Sequence, residues 1–70
     1  MKLYKCKHND HGVCMVNCRQ FPSSDTIMII VVVDAIDRIL SQKKITRDHF
    51  EQIRYDHELL LTLMGWEIVE

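Results

Sequence analysis

The chain has 70 residues, 47% of them hydrophobic, and a formal net charge of -1 at pH 7. That much apolar material in so short a chain excludes disorder and leaves room for one domain, residues 1–70, around one thin core. The near-neutral balance excludes a broadly basic nucleic-acid binder, and the longest apolar run, residues 27–33, is too short to cross a bilayer as a helix.

Residues 3–20 read as a β-hairpin. Asn9-Asp10-His11-Gly12 supplies the turn, with Asn9 opening it and Gly12 free to take a left-handed conformation. Pairing Asn9 with Val13 sets His8 against Cys14, Cys6 against Val16 and Tyr4 against Cys18. Side chains alternate along a strand. Tyr4, Cys6, His8, Cys14, Val16 and Cys18 therefore share one face, and Lys5, Lys7, Asn17 and Arg19 share the other.

Phe21-Pro22-Ser23-Ser24 is a connector, and Ser23 or Ser24 followed by Asp25 suits a helix start. Residues 24–42 are read as a helix, because Ile29, Val32, Val33, Ile36 and Leu40 recur at helical spacing with Asp34, Asp37, Arg38 and Ser41 opposite. The competing reading is a central strand over residues 27–33, apolar on both faces and rich in β-branched side chains. A second helix follows. Thr46 caps it, Ile45 and Phe50 form a hydrophobic staple, and Phe50, Ile53, His57, Leu60, Leu61 and Met64 make one stripe up to Gly65. Trp66 and Ile68 then face one way on a short final strand. The expectation is an α+β domain of order ββααβ, with the helices on one face of a small sheet.

Five potential metal ligands fall between residues 6 and 18. Zinc held by Cys6, His8, Cys14 and Cys18, with His11 or His57 in reserve, is the sharper reading, since thiolate and imidazole are the ligands zinc prefers. Buried core thiols are the plainer reading and the preferred one, because no Cys-x-x-Cys knuckle is present. No other cofactor is expected. An odd number of cysteines and a polar first segment point to a reducing, cytoplasmic setting. No nucleophile, base and orienting group combine into a catalytic constellation, so no enzymatic activity is expected.

On a helix over residues 24–42, Ile27, Ile30 and Val31 would point away from the core, and Leu59 and Leu63 lie beside the stripe of the second helix. These five are the candidate interface. They suggest a protein-binding module that acts as a homo-oligomer and as an adaptor, regulator or inhibitor of another protein. The alternatives are a nucleic-acid-binding regulator using the basic hairpin face, or a zinc-stabilised domain.

Overall fold

The computed structural model describes residues 2–23, 25–53 and 56–69. Its elements in chain order are β1 (Tyr4–His8), β2 (Gly12–Pro22), β3 (Ile27–Asp34), β4 (Ile39–Thr46), α1 (Arg47–Ile53), α2 (His57–Leu63) and β5 (Glu67–Ile68). The strands form one antiparallel sheet in the order β4-β3-β2-β1-β5. The α+β class, the N-terminal hairpin, the one-sided helical layer and the returning final strand are all present. No helix among the described residues is long and apolar enough to cross a membrane.

The hairpin turns at the expected place, and Gly12 has φ 71°. Its register differs by two residues from the expected one: Tyr4 pairs with Val16, Cys6 with Cys14 and His8 with Gly12. A shift of two preserves the side-chain parity. The division into a Cys/Val face and a Lys face therefore survives.

Residues 24–42 are not a helix. They contribute β3 and β4, two strands of a second hairpin, and Ser24 lies outside the described residues. β3 is the central strand of the competing reading, with β2 on one side and β4 on the other. Its run of β-branched residues packs well on a pleated surface flanked on both sides. The turn into β4 contains neither glycine nor proline and is built instead by aspartates. Asp34 Oδ1 accepts hydrogen bonds from the N–H groups of Ile36 (3.1 Å) and Arg38 (3.0 Å). Arg38 Nε donates to Asp34 Oδ2 at 3.0 Å. Asp37 takes the left-handed backbone, φ 63°, and its N–H donates to the Asp34 carbonyl. Partial desolvation pushes the Asp34 carboxyl up, but the backbone N–H groups of Arg38 and Ile36 and the Arg38 guanidinium outweigh it and hold the group below its ordinary value.

The expected second helix is broken into α1 and α2. Thr46 Oγ1 accepts the His49 N–H at 3.1 Å, which is the predicted cap. Asp56 caps α2 in turn, accepting the Leu59 N–H at 3.0 Å. α2 ends in a Schellman motif, with Gly65 at φ 84°, its N–H on Thr62 O, and the Trp66 N–H on Leu61 O. Phe50, Leu60, Leu61 and Trp66 cover one face of the sheet, packing on Cys6, Val16, Cys18, Met28, Ile30, Val32 and Ile45. Trp66 Nε1 donates to Ser41 Oγ at 3.1 Å, so this buried indole also ties the helical end to β4.

Candidate interaction surface

With both helices on one side, the other face of the sheet is open. The strand registers place on it Val13, Met15, Asn17, Arg19 and Phe21 from β2, and Ile27, Ile29, Val31 and Val33 from β3. Lys5 and Lys7 join from β1, and Gln42 and Lys44 from β4. A bulge at the Val32–Val33 step turns Leu40 toward the core and leaves Ile39 opposite Val33. The apolar members form a diagonal band from Val13 at the β1 side to Ile27 near the start of β3. Of the large hydrophobic residues that stand exposed, Val13, Met15, Phe21, Ile27 and Ile39 belong to this face or its margin, and Ile36 tops the adjoining turn. Val31 and Val33 lie buried beneath their neighbours.

Arg19 on β2 forms an ion pair with Asp37 and so fastens the β3–β4 turn to the open side. Lys7 sits across from Glu67 of β5. Asn17 is buried, and its Oδ1 has no hydrogen-bond partner among the described residues.

The five expected interface residues separate. Ile27 is 42% exposed on the open face, and Val31 shares that face but is only 5% exposed. Ile30 is completely buried in the core, because strand alternation turns it toward the helices. Its placement in an outward cluster is corrected accordingly. Leu59 is 39% exposed on α2, and the half-buried Leu63 packs near Ile27, Ile45 and His49 by a different margin of the helix. Sequence reasoning missed Val13, Met15, Phe21, Ile29 and Ile39. The first two were legible, since alternation in the hairpin already set them with Lys5 and Lys7. Phe21 was missed because the hairpin is read as ending at residue 20, two residues short of the end of β2 at Pro22; it also supplies an aromatic on the basic face.

The Cys/His cluster does not close into a tetrahedral set. Cys6 and Cys14 face each other across β1 and β2, and all three cysteines are free thiols. Among the described residues no group of three or more His, Cys, Asp or Glu is arranged to hold a metal ion. Burial, then the neighbouring Cys14, pushes the Cys6 thiol up. Burial, then Cys6, pushes Cys18 up to about 12. Both thiols keep their protons at neutral pH and are poor nucleophiles. Cys14 Sγ–H donates to the His11 carbonyl at 3.3 Å. His8 packs against His11 and Trp66, with ring centroids 4.9 and 4.8 Å away, and its Nδ1 accepts the Asp10 N–H.

Comparison with family models, with curated proteins and with solved structures finds no match for this chain.

Proposed function

We propose that this chain is a small non-enzymatic protein-binding module whose contact surface is the open face of its sheet. It acts as an adaptor, regulator or inhibitor by occupying the surface of another polypeptide. The observation that carries this reading is the gathering of Val13, Met15, Phe21 and Ile27, all exposed, on the one sheet face that no helix covers. Apolar side chains scattered singly over a surface need no explanation, but several gathered on one uncovered sheet face suit a contact site.

The test is site-specific photocrosslinking in the source cells. A photoreactive phenylalanine analogue at Phe21 or Met15 should trap a protein partner, and the same analogue at Asp48 on the helical side should not. Equal trapping from both sides, or none from the open face, would sink the reading.

A nucleic-acid role draws on Lys5 and Lys7, which are exposed on the same face as Phe21. An exposed aromatic beside basic groups can stack a base. Phe21 lies at the far end of the face from both lysines, however, and Arg19 is already paired with Asp37. Retention on single-stranded DNA or RNA that is lost in Lys5→Glu/Lys7→Glu would favour this second role over the first.

A further inference from the structure

We infer that the occupant of the open face is a second copy of this chain, packed sheet against sheet into a helix–sheet–sheet–helix dimer. The inference rests on the reading of that face as a contact surface and names what covers it.

Three observations carry it. The first is the composition of β3. Residues 27–33 are seven consecutive apolar side chains, and such a strand belongs in a sheet covered on both faces. The helices cover one face only, and on the other Val31 and Val33 are buried by their neighbours while Ile29 is half-buried and Ile27 stands exposed. A matching open sheet is a natural second layer, since two sheets stack face to face about 10 Å apart with their inner side chains interdigitated.

The second is area. The open face, from Val13 to Ile27 along the strands and from β1 to β4 across them, with its lysines included, is roughly 34 Å long and roughly 15 Å wide, at about 3.4 Å per residue and about 4.8 Å between strands. That is a footprint of roughly 500 Å² per copy, or about 1,000 Å² for the pair, which reaches the threshold of a specific interface. Side chains standing above the sheet increase the accessible area further.

The third is the arrangement of polar groups. Lys5 and Lys7 flank the band at one corner and Lys44 at the other, giving an apolar centre with a charged rim. The free edge of β4 carries Lys43 and Lys44, a pattern that discourages edge-to-edge strand addition. The approach left open is face to face.

The experiment is sedimentation equilibrium of the untagged protein across a wide concentration range, paired with native mass spectrometry. The expected result is a species of twice the chain mass whose dissociation constant rises at least roughly tenfold in Met15→Glu and in Ile27→Glu. Both residues are exposed, so circular dichroism should stay native. If Met15→Glu fails to fold, Val13→Lys, at a still more exposed position, takes its place. Leu59→Glu, on the helical side, should dimerise as the parent does. A protein that stays monomeric at all concentrations while folded overturns the inference. So does a dimer that Leu59→Glu dissolves and the face variants leave intact. If the monomer still photocrosslinks a different protein through Phe21, the second copy is ruled out while the open-face reading stands. If neither a dimer nor any crosslink depends on the open face, both fall together.

Discussion

Ile30 and Ile27 are chemically identical, lie three residues apart on β3, and have opposite fates. Ile30 is fully buried in the core, whereas Ile27 is 42% exposed on the open face. Replacing Ile30 by alanine removes three buried carbons. At about 0.8 kcal/mol per buried methylene the transfer loss is about 2.4 kcal/mol, and the residual cavity raises the total to roughly 3–4 kcal/mol. Ile27→Ala removes the same atoms from a half-wet site with no closed cavity, so it should cost about 1 kcal/mol or less. A domain of this length has a total stability of roughly 4–10 kcal/mol, so the first change consumes a large part of it and the second does not. The assay is urea unfolding followed by the fluorescence of Trp66, run at the lowest workable protein concentration so that association does not contribute. The slope of free energy against urea should be the same in both variants, with only the midpoint moving. An Ile27→Ala cost equal to or above that of Ile30→Ala would refute the assignment of faces on β3, and with it the open sheet surface.

Three further expectations follow from the packing. Ser41→Ala leaves the buried Trp66 indole N–H without its acceptor and should destabilise the fold by about 1–3 kcal/mol, while Ser41→Thr keeps the acceptor; equal midpoints for all three proteins would count against the bond. In native protein a thiol reagent should modify the half-buried Cys14 first, with Cys6 and Cys18 reacting only on unfolding. The Cys18 thiol keeps its proton up to about 12 in the folded chain against 9.0 unfolded, so the unfolded chain holds fewer protons between those values. Stability from this group is therefore complete below about pH 9 and declines as the pH rises toward 12, a slope that Cys18→Ala should flatten in alkaline denaturation.

Much of the fold was legible where local chemistry is unambiguous. Thr46, Asn9 to Gly12, and Gly65 with Trp66 behind it carry turn and cap signals that depend on few long-range contacts. The stripe Phe50, Leu60, Leu61 is read correctly as core, although it is carried by two helices, α1 and α2, and not by one. Residues 27–33 were not decidable by periodicity, because an unbroken apolar run satisfies a period of two and of 3.6 alike. The helix reading was completed by Ile36 and Leu40, whose spacing matches by coincidence across a turn. That turn was invisible because Asp34 and Asp37 do the work usually left to glycine, and they read equally well as the polar face of a helix. The candidate surface was misplaced for the same reason: outward residues of an imagined helix are not those of a strand.

The position of β5 has a consequence for how the chain is made. β1 to β4 form a meander of neighbouring strands, each able to pair as soon as the next is available, but among the described residues the outer edge of β1 is closed by residues 67 and 68 and by the Val69 N–H on the Lys5 carbonyl. At a synthesis rate of about 5–20 residues per second, the last strand trails the first by roughly 3–12 seconds. Throughout that interval β1 offers an unpaired ladder to any neighbouring nascent chain. Lys5 and Lys7 stand on that ladder as gatekeepers, their charges opposing the cross-chain pairing that an apolar strand would invite.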